Sequence, residues 1–210
     1  MRQSFFTESE HPISTGEYIM AEKKFSTRKL TGLAILTALV VILQFLPIKG
    51  PFFLITLTLV PIVIGSALYG ALAGAWLGFI FGVTVLLSGD AAAFLTINIP
   101  GTIATVLVKG TLAGLAAGLV YKLASKVNRY FGVICSALVA PVVNTGIFLL
   151  GCRLFFMDTV NGWAAASGYE NVGAYMILSL VGINFLIELG VDLVCSPVIL
   201  RLINIRKKEG

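Results

Sequence analysis

Hydrophobic residues in this chain come in long unbroken tracts, at Leu30 to Leu46, Leu54 to Leu87, Ile97 to Leu123, Phe131 to Met157 and Val172 to Ile203. Each is long enough for a helix to cross a hydrocarbon core about 30 Å thick. The second is ambiguous: its roughly 34 residues make a helix of about 51 Å at 1.5 Å per residue, too long for one upright span and slightly short for two. A turn at Tyr69-Gly70 divides it into two. The expected fold is therefore an all-α membrane protein, a compact bundle of six transmembrane helices.

Charge placement decides between five spans and six. With the turn at Tyr69-Gly70, Lys23, Lys24, Arg28 and Lys29, then Lys122, Lys126 and Arg129, then Arg201, Arg206, Lys207 and Lys208 all fall on one side. The opposite loops hold only Lys49 beside Asp90, Asp158 and Glu170. A single helix over the long tract puts the Lys122 to Arg129 loop and the basic C-terminus outside, against the positive-inside rule. Both termini are accordingly expected in the cytoplasm. Residues 1–27 read as a disordered cytoplasmic tail, 28–205 as the transmembrane domain and 206–210 as a basic tail. Met20 precedes a basic run into the first span, so Met1 and Met20 both stand as starts.

Composition agrees: 58% of residues are hydrophobic and 12% charged, which excludes an ordinary soluble domain. The net charge of +5 lies beside apolar tracts rather than on an aromatic-studded polar face, so nucleic acid is excluded as a partner and the lipid bilayer takes its place. No GxxxxGK[ST] run is present, and the only histidine, His11, sits in the acidic tail. Nucleotide hydrolysis, a metal site and other cofactors are not expected, nor is an enzyme.

The chemistry sits where polar residues interrupt apolar tracts, because a charge there is costly and faces protein or a wet cavity. Lys109, Asn144, Arg153, Asn184, Glu188 and Asp192 are such residues. Asn184, Glu188 and Asp192 recur every four positions and share one stripe of the last helix. Lys109 lies about 14 Å along its helix from Pro100, near mid-membrane, within reach of Glu188. The pair either fixes helix register or belongs to a polar solute site, and both readings stand. Arg153 lies near the outer end of its helix, where it either binds an anion bidentately or snorkels to headgroups. Trp163 and Tyr169, in a long outer loop, suit stacking on a ligand or interfacial anchoring.

Small residues repeat every four positions: Gly74, Gly78 and Gly82, Gly110, Gly114 and Gly118, and Ala34 with Ala38. Such faces let two helices approach closely in lipid. Ala34 and Ala38, on the first helix, suit docking of a partner membrane protein. Pro61, Pro141 and Pro197 fall within spans and predict kinks or local unwinding.

The segment Ala34-Ile35-Leu36-Thr37-Ala38, the run from Ile55 to Gly82 and the run from Val108 to Lys122, on a six-span chain of this size, resemble the substrate-binding S components of energy-coupling factor (ECF) vitamin transporters. The resemblance covers about residues 28–205. It implies a high-affinity binding subunit in the cell membrane for a vitamin or related micronutrient, energised by a membrane coupling subunit and two cytoplasmic ATPases. It implies a substrate site in the outer half at Asn98, Lys109, Asn144, Arg153, Asn184 and Glu188, and a coupling-subunit contact at Ala34 and Ala38. Arg153 and Lys109 together favour an anionic solute, with pantothenate as the example. The alternative is an autonomous carrier or channel that uses the Asn184, Glu188 and Asp192 stripe.

Overall fold

The computed structural model describes residues 15–46, 48–49, 54–55 and 57–208, with side chains described at 27–46 and 57–205. Residues up to Gly32 form one unit and those from Leu33 onward another. Helix α1 runs from Thr15 to Phe45. Residues 15–27 of the expected disordered tail are therefore helical, and residues 1–14 lie outside the described residues. The helical part is rich in Glu, Ala and Lys, good helix formers that extend a helix already nucleated in the apolar stretch.

A two-stranded antiparallel ribbon follows, β1 (Ile48–Lys49) paired with β2 (Leu54–Ile55), with Ile48 opposite Ile55. Helix α2 then spans only Leu59–Tyr69, 11 residues or about 16 Å. The expected second span is thus shorter than its apolar tract, because the tract's first residues pair as a strand. Pro61 sits in the first turn of α2, where a missing N–H breaks no helical hydrogen bond. The turn predicted at Tyr69-Gly70 is present. Gly70 adopts φ +96°, a conformation that a side chain resists, and α3 (Ala71–Ser88) starts directly after it.

The remaining helices are α4 (Ala92–Leu95), α5 (Ile99–Ala124), α6 (Arg129–Phe155), α7 (Met157–Ala166), α8 (Val172–Tyr175) and α9 (Gly182–Lys208), with a π-helical turn at Met176–Leu180. Among the described residues five helical stretches are long and apolar enough to cross a membrane: Thr27–Phe45, α3, α5, α6 and Gly182–Ile205. With the shorter apolar α2 they make an all-α membrane bundle.

Helix α3 packs most extensively on α5, α5 on α6, and α6 on α9, while α2 touches α3, α5, α6 and α9. The α3 to α5 contact is an antiparallel glycine zipper. A Cβ placed on Gly74 meets the carbonyl of Gly114, and one on Gly78 meets the carbonyl of Gly110. The four-residue glycine spacing read from the sequence is thus a packing device, as helix association in lipid requires. At one end Val63, Ala117, Val133, Ala137, Ala140 and Ile199 form a buried cluster, and Ser136 Oγ donates across helices to the Ala117 carbonyl at 2.9 Å. At the other end aromatic residues gather around Cys152, Phe156 and Val160.

Helical geometry continues through Pro141 and Pro197, so neither unwinds its helix. The last apolar tract is interrupted at the π turn and Val181, a stretch with no proline. The long outer loop folds as α7 with Val160 and Ala164 buried.

Candidate functional site

The open packing at the aromatic end leaves a cavity of about 210 Å³. Helix α5 supplies one wall through Thr102, Thr105, Val106 and Lys109, a spacing of three, four and seven residues that places all four on one helical face. Helix α6 supplies Asn144, Thr145 and Phe148, and α3 supplies Phe81 and Val85. The break before α9 brings Leu180 and Val181 to the wall, followed by Asn184, Phe185 and Glu188. At the mouth stand Gln44, Asp90, Ala91 and Phe94, with Phe156 beside them.

Among the described residues that line the cavity, Lys109 is the only cationic one. Its Nζ lies 5.3 Å from the ring centroid of Phe148 and 5.6 Å from that of Phe81, so two aromatic faces help to offset its charge. Glu188 and Asp90 act on it electrostatically. The lysine is thus held between α3, α6 and α9 rather than left to swing.

Two polar atoms on the wall lack a hydrogen bond among the described residues. Thr105 Oγ1 and Asn144 Oδ1 belong to side chains only 6% exposed. A buried polar atom left unsatisfied costs about 1–3 kcal/mol, which a bound molecule carrying the complementary group recovers. Both residues line the cavity.

At the mouth, Gln44 is 1% exposed. Its Nε2 donates to Asp90 Oδ2 and, at 3.4 Å, to Ser88 Oγ, while its Oε1 accepts from Thr58 Oγ1 at 3.3 Å. One amide therefore ties the end of α1, the end of α3 and the start of α2 around an exposed carboxylate. Above it Phe94 makes edge contacts with Phe148, Phe156 and Trp163, with centroids at 5.5, 5.0 and 5.5 Å.

Four of the six substrate-site residues expected from the sequence line this cavity: Lys109, Asn144, Asn184 and Glu188. Arg153 does not. It is exposed, and nine residues after Asn144 put it about half a turn round α6 from the cavity face. We accordingly expect Arg153→Ala to leave the dissociation constant of the protein's bound compound within about twofold; titration of wild type and variant checks it, and a tenfold loss returns Arg153 to the site.

Asn98 is likewise absent from the wall. Its Oδ1 accepts from the Gly101 N–H at 2.9 Å, so it caps α5. Trp163 packs on Phe94, while Tyr169 stacks edge-on with Tyr175 and its hydroxyl accepts from Ser179 at 2.9 Å; neither lines the cavity. The stripe on α9 divides: Asn184 and Glu188 reach the cavity, whereas Asp192 is buried away from it, its Oδ2 without a partner among the described residues. Ala34 and Ala38 are exposed on α1, as are Ile35, Leu39 and Ile42 on the same helix. No group of three His, Cys, Asp or Glu side chains that could hold a metal is found among the described residues.

Sequence reasoning missed Gln44, Thr102, Thr105, Phe81, Phe94 and Phe148. Thr102 and Thr105 carried a signal, since they share the Lys109 face at helical spacing. Gln44 carried one as well, being an amide at the end of an apolar tract. The phenylalanines carried none, because an aromatic in a membrane helix looks the same whether it faces lipid, core or ligand.

A family model described as ECF transporter, substrate-specific component, matches residues 28–200. No curated protein and no solved structure matches the chain.

Proposed function

Because the chain belongs to the substrate-specific components of ECF transporters, we propose that it captures a vitamin or related micronutrient in the cavity around Lys109 and delivers it for uptake driven by a separate ATPase module. As a member of that family it is a membrane-embedded, substrate-specific binding subunit. The finer reading concerns which residues bind, from which side, and what supplies energy.

The observation that carries it is the joint placement of Lys109, Thr105 and Asn144 around one cavity, with two buried polar atoms of its lining residues lacking partners among the described residues. Apolar surface with a few convergent polar groups is what a small-molecule site needs, and 210 Å³ lies below the roughly 300–1,000 Å³ of drug-sized pockets. The site therefore suits one small compound. The positive-inside rule puts the Lys122 to Arg129 connection in the cytoplasm of the plasma membrane, which turns the Asp90 mouth outward. A compound enters from outside, and Lys109 receives its acceptor end, a carboxylate or a carbonyl. Pantothenate has such an end; the anionic preference read from the sequence now rests on Lys109 alone.

The partners in this reading are a membrane coupling subunit and two cytoplasmic ATPases. The exposed face of α1 at Ala34 and Ala38 suits the coupling subunit, since small side chains let a second helix approach. In proteoliposomes, the subunit together with its module is expected to accumulate the co-purifying compound in an ATP-dependent manner, and the subunit alone is not. Ala34→Trp and Ala38→Trp should abolish co-purification of the coupling subunit while keeping the dissociation constant within about twofold. Uptake by the subunit alone sinks the coupled mechanism. Loss of binding together with assembly sinks the docking role of α1.

A further inference from the structure

Resting on the binding-subunit reading, we propose that the substrate carries a protonated nitrogen, received at the cavity mouth by Asp90, in addition to the acceptor group that Lys109 takes. The cavity wall is unbalanced toward acid. Among the described residues its charges are Asp90 and Glu188 against Lys109, and Glu188 already acts on that lysine. A compound that is only anionic, as pantothenate is, adds a further negative charge to this wall, so the proposal replaces that example. A compound that brings a positive charge cancels the excess, and charges taken out of water are tolerated when paired.

The hydrogen-bond inventory adds that the substrate carries a donor. Asn144 Oδ1 is a buried acceptor with no donor among the described residues, and it belongs to the wall. An acceptor-only group on the substrate leaves it unsatisfied, whereas an N–H or O–H that reaches it satisfies it. Thr105 Oγ1, equally buried and unpartnered, accepts or donates as needed.

Asp90 is a seat held in place. Exposed side chains at a loop ordinarily move freely, yet this carboxylate accepts from the amide of Gln44, which is itself buried and braced by Thr58 and Ser88. Phe94 and Phe156 line the same cavity, and aromatic faces attract a cation.

The test uses the purified full-length protein in detergent, exposed to an equimolar mixture of water-soluble vitamins, amino acids, small amines and small carboxylic acids. Mass spectrometry identifies what is retained, and titration gives its dissociation constant on wild type and on Asp90→Asn and Arg153→Ala. We expect a retained compound with a nitrogen protonated at neutral pH, weakened about tenfold or more by Asp90→Asn. Arg153→Ala serves as the control that leaves it unchanged. Asn at position 90 still offers Gln44 an acceptor, so the substitution removes charge while keeping the brace, and an unaltered melting temperature verifies this. The identity of the retained compound tests the proposal even without the variant. A retained compound lacking a protonated nitrogen, or one indifferent to Asp90→Asn in a folded protein, overturns the proposal and leaves the binding-subunit reading standing. A folded protein that retains nothing from the mixture or from a cell extract overturns both.

Discussion

Replacing Gly78 by alanine is expected to destabilise the detergent-solubilised protein by about 1–3 kcal/mol, and replacing it by leucine to prevent the folded bundle from accumulating. The reason lies in what stands opposite. A Cβ at Gly78 falls on the carbonyl of Gly110, and a Cβ at Gly110 falls on the carbonyl of Gly78. Both obstacles are main chain inside long helices, so neither can swing aside as the end of a side chain can. The helices must separate, and in lipid no hydrophobic effect pulls them together again, because association there depends on close packing. The same substitution elsewhere isolates this effect. Gly146 and Gly190 also lie in helices, but a Cβ on either meets nothing within 4 Å. Alanine at those sites removes glycine's helix penalty and should gain about 0.5–1 kcal/mol. Thermal unfolding of the four single alanine variants at positions 78, 110, 146 and 190 gives the comparison. Equal shifts at 78 and 146 rule out backbone contact as the feature that holds α3 on α5.

That contact shows how far the fold was legible beforehand. The glycine stripes were visible because a four-residue period is a property of the chain itself. The turn at Gly70 was visible because a charge count has only two outcomes, five crossings or six. What escaped depended on neighbours distant in sequence. The strand at Leu54–Ile55 consumes the start of an apolar tract through pairing with Ile48–Lys49, and apolar runs look alike whether they pair or coil. The break at Met176–Val181 has no proline to announce it, while Pro141 and Pro197, which looked like breakers, sit inside continuous helices.

The cavity divides along the same line. Lys109, Asn144, Asn184 and Glu188 stood out because polar groups in apolar tracts need somewhere to go, and here they go to one place. Arg153 obeyed that logic only in part. Close to the end of α6, it satisfies its charge by exposure, which the apolar count could not distinguish from a site. Asn98 looked like an outer-loop contact, but one residue before a helix an asparagine has a nearer use as a cap. The aromatic wall and the Gln44 brace require knowing which helices meet, and no pattern within one helix contains that information.

Lys109→Met is the second substitution with a large expected effect, and it distinguishes the two readings of the lysine. Loss of a charged hydrogen bond to the substrate costs about 1.5–3 kcal/mol, or roughly 10- to 150-fold in affinity. The single variant also leaves Glu188 without the cation it acts on, so stability falls as well, by an amount that grows with the burial of that carboxylate. Affinity and stability therefore drop together and do not by themselves identify the role. The double variant Lys109→Met, Glu188→Gln separates them. Removing both charges relieves the buried imbalance, so stability should recover substantially toward wild type whichever reading holds. Binding responds differently. If the lysine only fixes the register of α5 against α9, affinity recovers along with the melting temperature. If it receives the substrate's acceptor group, affinity stays low in a protein whose fold has been restored. We expect the second outcome, because Lys109 does more than face Glu188: it stands between the rings of Phe81 and Phe148, on the wall that also carries the unpartnered Thr105 and Asn144. A register pin needs only its counter-charge, whereas a lysine held between two rings beside unsatisfied polar atoms is arranged for a molecule that arrives from outside the chain.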